Sequence, residues 1–176
     1  MTLHAFVDES YRGDYIICAA LFEARSVASA RAAMAALRHG SQGRIHMAKE
    51  SDRRRRSLLA KIAQMGTAAQ LVTVRVRGKS IRAARDAALA ELASQLLDLG
   101  VSRLIIESCD QDRRDLQVIG DELARRGANG RLEIHHLRPH DEPLLWIPDA
   151  IAWAFGKGTR EWRSLVDPMI SRVTRL

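Results

Sequence analysis

Cysteine is nearly absent. The 176 residues hold two, Cys18 and Cys109, which excludes a disulfide scaffold and a four-thiolate zinc site and suits a reducing, cytoplasmic setting. Long apolar runs are also missing. The longest strongly apolar stretches, such as Tyr15–Phe22, are far too short to span a bilayer. The opening Met1-Thr2-Leu3-His4 shows no basic stretch followed by an apolar one, so no secretory signal is expected. No internal repeat, low-complexity tract or linker stands out. Lysine is scarce as well: Lys49, Lys61, Lys79 and Lys157 are the only four, so 24 of the 28 basic residues are arginine.

What remains is ordinary globular composition, 47% hydrophobic and 28% charged, in a length that fits one domain, 1–176. The excess of basic over acidic residues gives a net charge of +7. A basic domain attracts polyanions, nucleic acid first among them.

Leu3–Ser10 is an apolar run that ends in Asp8 and Glu9, the pattern of a buried strand with polar groups at its carboxyl end. A turn at Tyr11–Asp14 leads into a second strand, Tyr15–Phe22, and the two predict an antiparallel hairpin. Helices are expected over Ser26–Leu37 and, capped by Ser51 or Asp52, to about Met65. The alternation in Gln70–Arg77 predicts a strand with Arg75 and Arg77 on one face. Ser80 caps a helix whose stripe is Ile81, Arg85, Ala88, Leu89, Leu92, Leu96 and Leu99. Arg103–Glu107 reads as a central strand, Asp112–Arg126 as a helix and Leu132–Leu137 as a strand. Pro143–Phe155 is an apolar helix, with Pro148 either kinking it or standing in its first turn. Glu161–Val173 reads as a terminal helix. The order predicts an α/β domain with a five-stranded mixed sheet flanked by helices.

Three acids fall where such a sheet places functional groups: Asp8 and Glu107 at strand ends, and Asp149 inside an apolar helix. A carboxylate at Asp149 is costly unless it is paired or binds a cation. Clustered carboxylates repel, and a hard divalent cation, Mg²⁺ or Mn²⁺, removes that conflict. Such ions activate water and stabilise a leaving alkoxide in phosphodiester cleavage. Taken singly, each acid also suits a structural cap or an arginine partner.

These residues resemble the DUF3800 proteins. Phe6-Val7-Asp8-Glu9-Ser10 is similar to that family's opening strand, and Ile105-Ile106-Glu107-Ser108, followed by Asp115-Leu116, to its strand-end acid and the step after it. Ile45-His46 resembles a short Leu/Ile-His step, and Pro143–Ala152 resembles the closing helix with its Pro-Asp step. The resemblance implies a ribonuclease H-like fold and a metal-dependent nuclease. It implies catalytic roles for Asp8, Glu107 and Asp149, with Glu9 as a supporting metal ligand and His46 at the substrate. Two departures are Tyr11, where the family continues with Gly, and Cys109-Asp110, which makes Asp110 a rival to Glu107.

Other residues admit two readings. Lys49, Arg53 and the neighbouring arginines suit either phosphate contact or a solvated helix face. His135, His136 and His140 match no standard zinc spacing. Cys109 lacks a histidine partner in sequence. Trp146 and Trp153, seven apart, fit core packing better than base stacking. The expected function is a Mg²⁺- or Mn²⁺-dependent nuclease acting on nucleic acid. The alternatives are a non-catalytic binding module on the same fold and a phosphatase for a small substrate.

Overall fold

The computed structural model describes residues 2–78 and 80–176. The chain opens with a hairpin, β1 (Leu3–Arg12) and β2 (Asp14–Glu23), paired from Leu3↔Glu23 to Arg12↔Asp14. Gly13 makes the reversal at φ 98°, a conformation open to glycine at little cost. Then come α1 (Val27–Ala36), α2 (Asp52–Gln64), β3 (Ala68–Arg75), α3 (Ile81–Asp98) and β4 (Val101–Glu107). The chain continues with α4 (Asp112–Arg125), β5 (Glu133–Leu137), α5 (Trp146–Lys157), α6 (Arg160–Val166) and β6 (Ile170–Arg175). The sheet order is β5-β4-β1-β2-β3-β6. β2 runs against β1 and β3, while β4 pairs with β1, β5 with β4 and β6 with β3 in parallel.

Capping follows the sequence closely. Ser51 accepts from the Arg54 amide at the start of α2, and Ser80 from the Ala83 amide at the start of α3. Each satisfies one of the amides that a helix start leaves without a partner. Pro148 is the third residue of α5, which a 3₁₀ turn at Pro143–Leu145 precedes. It stands in the first turn, where the N–H it lacks has no helical acceptor.

The sheet divides the molecule into two cores. On one face Phe6, Ile16, Cys18, Leu71 and Ile105 meet α1, α2, α5 and α6. On the other Val7, Tyr15, Ile17, Val72, Leu104 and Ile106 meet α3 and α4. Strand alternation sets this division, because successive side chains leave opposite faces. On α3 the buried stripe runs through Arg85, Ala88, Leu89, Leu92 and Leu96, while Ile81 and Leu99 at its ends are exposed.

The chain end departs from the sequence reading. The expected helix over Glu161–Val173 stops at Val166, and Ile170–Arg175 forms a sixth strand beside β3. Pro168, in the 3₁₀ turn Asp167–Met169, accounts for the break, since proline has no N–H to continue the helical hydrogen bonds and its ring crowds the carbonyl four residues back. A second departure is at Arg77, which lies beyond the end of β3 in a turn and so does not share a sheet face with Arg75.

Candidate active site

Asp8 lies just past the middle of β1, and Glu107 ends β4, its parallel neighbour. Asp8 shares a face with Phe6, and Glu107 with Ile105, so both leave the sheet on the α5 side. α5 packs across β1 and β2 and lowers Asp149 toward the same place. Burial is the main force that raises the Asp8 carboxyl well above the ordinary carboxylate range. The negative charges of Glu107 and Asp149 add to it, while Arg44 opposes. Glu107 and Asp149 are therefore both within electrostatic reach of Asp8, although the ligand atoms of the three do not all lie within 4.8 Å of one another. The main-chain amide of Glu9 donates to Asp8 Oδ1 at 2.7 Å.

Each of the other two acids has a partner from the 37–51 connection. Asp149 Oδ2 accepts from the Met47 amide at 2.8 Å and lies 3.3 Å from His46 Nδ1. Arg44 Nη1 donates to Glu107 Oε1 at 3.0 Å. Arg55 anchors this segment, reaching the carbonyls of Met47 at 2.7 Å and Ala48 at 3.0 Å while its guanidinium stacks 4.3 Å from the Trp153 ring centroid. A small cleft of about 70 Å³ touches Asp8 and Glu107 but is lined mainly from the opposite face, by Val7, Glu9, Ile17, Arg85 and Ile106.

Two expected site residues lie elsewhere. Glu9 follows Asp8 directly and so leaves the opposite face, where the Tyr15 hydroxyl and the Arg85 guanidinium bind it. It is not positioned to supply a ligand alongside Asp8. Asp110 is exposed in the turn after β4, whereas Glu107 is the β4 acid whose charge acts on Asp8. Lys49 and Arg53 are exposed near His46 on the 3₁₀ turn Met47–Lys49 and the start of α2. Sequence reasoning missed Arg44, whose one available signal is its place two residues before His46.

On the far face, Arg85 forms a two-pronged pair with Asp115, at 2.9 Å and 2.8 Å. His136 Nε2 is 3.2 Å from the same carboxylate. Burial alone would raise the Asp115 carboxyl, but hydrogen bonds from Arg85 and His136 outweigh it and hold the group below its usual range. Cys109, Asp112 and Asp115 offer a sulfur and two oxygens within 4.8 Å of one another, a grouping able to hold a metal ion. Much of its donor capacity is already engaged. Arg85 takes both oxygens of Asp115, and Asp112 accepts from Ser108 Oγ and the Cys109 amide. Burial raises the Cys109 thiol, which disfavours the thiolate that metal binding or attack requires. Trp146, Trp153 and Trp162 are all buried in the α5-side core, consistent with packing rather than base stacking.

The donor set of the first cluster fits a hard cation. It consists of three carboxylates, with acidic crowding at Asp8 and an oxygen-only chemistry suited to Mg²⁺ or Mn²⁺.

No protein-family model matches the chain, and no curated protein matches its sequence. Solved structures do match its fold. A structure of the PCNA:RNase HII complex from Archaeoglobus fulgidus aligns with a TM-score of 0.56 and 18% identity, over 96% of this chain and 76% of that one. The ribonuclease H2 of Pyrococcus horikoshii OT3 aligns with a TM-score of 0.54 and 16% identity, over 94% of this chain and 76% of that one. With its β1–β3 meander and its parallel β1, β4 and β5, the chain has a ribonuclease H-like fold.

Proposed function

We propose that the protein is a divalent-metal-dependent nuclease that hydrolyses phosphodiester bonds of nucleic acid. The observation that carries this reading is the convergence of Asp8, Glu107 and Asp149 from two adjacent parallel strands and a packed helix. The fold neighbours are ribonucleases, the charge of +7 favours a polyanionic substrate, and the DUF3800 resemblance points the same way.

Asp8, Glu107 and Asp149 would hold Mg²⁺ or Mn²⁺. Such an ion, when bound, lowers the pKa of an attacking water and stabilises the leaving alkoxide. The protein's own groups set the stage for this. Met47 fixes the Asp149 carboxylate through its amide, and Arg55 fixes Met47 through its carbonyl. Arg44 compensates the charge of Glu107 and holds its orientation. His46, on Asp149 and about one third exposed, sits where it can pass a proton between the site and solvent. Lys49 and Arg53 extend the same surface toward a phosphate backbone.

Fluorescent-oligonucleotide cleavage with Mg²⁺, Mn²⁺ or EDTA tests the reading, across DNA and RNA, single- and double-stranded. Metal-dependent cleavage lost in both Asp8→Asn and Asp149→Asn is the expected result. Equal cleavage by all three proteins, or none by the wild type in either metal, would overturn it. Oligonucleotide binding without cleavage would identify a non-catalytic binding module.

A further inference from the structure

Many arginines among the described residues are paired with acids: Arg31 with Glu142, Arg85 with Asp115, Arg103 with Glu133, Arg114 with Asp86, Arg125 with Glu122 and Arg126 with Asp98. Four are different. Arg12, Arg75, Arg163 and Arg175 converge on one cavity of about 460 Å³, and none of them forms a salt bridge among the described residues. Asp14 is the single acidic side chain in its lining. Arg163 stacks 4.1 Å from the Phe155 ring centroid, and its Nε atom is buried without a hydrogen-bond partner. Guanidinium groups gathered around a cavity repel one another, and an anion with several oxygens resolves that repulsion through forked hydrogen bonds.

The pairing registers place this cavity on the same face as the carboxylates. Asp8, Ser10 and Arg12 alternate onto one face of β1. Ile16 lies opposite Thr73 and Asp14 opposite Arg75, while Arg175 pairs with Thr73 from the other side. These side chains therefore continue the α5-facing side of the sheet across four adjacent strands. β1, β3 and β6 all end here, so the cavity and the carboxylate cluster share one rim. Arg12 and Ser10 also border Gly156 near the end of α5. The four residue steps of β1 from Asp8 to Arg12 span ~13 Å, a distance that a nucleic-acid strand covers in about four duplex steps.

We infer that the cavity formed by Arg12, Arg75, Arg163 and Arg175 binds backbone phosphates of a nucleic-acid strand whose neighbouring segment lies at Asp8, Glu107 and Asp149. The inference rests on the proposed nuclease reading and adds a second contact region, which sets the direction in which the substrate leaves the site. Phosphate groups bound through arginine forks fix register without reading sequence.

The test is oligonucleotide binding by fluorescence anisotropy in EDTA, which separates binding from cleavage. It compares wild type, Arg75→Ala/Arg175→Ala, Arg163→Lys and, as a control, Arg131→Ala. Arg75 and Arg175 are exposed, so their replacement leaves the core untouched, and Arg131 is exposed in the loop before β5, at the opposite end of the sheet. Arg163→Lys keeps the charge but removes the fork.

The expected result is binding ~10-fold weaker in the double variant, with the slope of log K against log salt reduced by about one for each phosphate that the variant no longer neutralises. Arg163→Lys should weaken binding less, and Arg131→Ala should match the wild type. Equal affinity and slope in wild type and double variant would overturn the inference. If Asp8→Asn then still abolished cleavage, the nuclease reading would stand without it. A wild type that binds no oligonucleotide would overturn the inference, while the nuclease reading would still be decided by cleavage in Mg²⁺ or Mn²⁺. Inorganic tripolyphosphate binding as tightly as the oligonucleotide, and weakened equally in the same variants, would assign the cavity to free polyphosphate and overturn the strand reading.

Discussion

Asp8 and Glu9 are neighbours in sequence, and they report two opposite solutions to the problem of charge in a folded sheet. Glu9 enters a face where its charge and that of Asp115 are answered: Arg85 binds both, and His136 completes the network. Asp8 enters a face where Glu107 and Asp149 add like charge, and Arg44 compensates it only in part. The far face is electrostatically complete. On the proposed reading, the α5 face is completed by a cation. A ligand site differs from a structural network less in its residue types than in whether its charges balance without a guest.

The largest effect should come from disturbing the incomplete face. Asp8→Asn should lower cleavage by ~10³-fold or more, corresponding to several kcal/mol of lost charge stabilisation, as measured by single-turnover kinetics. Asp115→Ala should instead leave the metal requirement intact and unfold the protein more easily. It abandons Arg85 in a buried position, and breaking such a pair costs about 3–5 kcal/mol, readable in urea denaturation midpoints.

Metal should sharpen the contrast. Saturating Mn²⁺ should raise the wild-type unfolding free energy by about 2.7 kcal/mol at a hundredfold excess over Kd. In Asp8→Asn the gain should vanish. The same titration on Asp115→Asn should retain it.

The smallest expected effect is in pH. Asp115 sits below its usual range in the folded protein, so its ionised form adds stability above the ordinary carboxylate pKa. That contribution fades as pH falls through the ordinary range toward the lowered folded value. Denaturation followed from about pH 6 down to about pH 3 should show a steeper acid loss in wild type than in Asp115→Asn. Equal slopes would mean that the far-face network holds no linked proton.

The candidate acids are legible in the sequence because strand ends and an apolar helix make carboxylates conspicuous. Asp149 stands among Trp146, Ile147, Ile151 and Trp153, and burial there demands a partner or a cation. Grouping Glu9 with Asp8 sets aside the period-two rule, which sends adjacent side chains to opposite faces. The sixth strand is hidden when one helix is read through Asp167-Pro168, although Ile170–Arg175 is rich in β-branched residues and Pro168, which lacks an N–H, marks a break. Arg44 and the arginine cavity are beyond sequence reach. Their meaning depends on a connecting segment and on strands β3 and β6, which only tertiary packing brings beside β1 and α5.

The central claim is that the α5 face needs a cation and the far face does not. Mn²⁺ binding measured by electron paramagnetic resonance on wild type, Asp8→Asn and Asp115→Asn tests it directly. The account predicts binding in the wild type, its loss in Asp8→Asn and its retention in Asp115→Asn. Binding that survived Asp8→Asn and disappeared in Asp115→Asn would place the metal on the Cys109, Asp112 and Asp115 side and contradict the account.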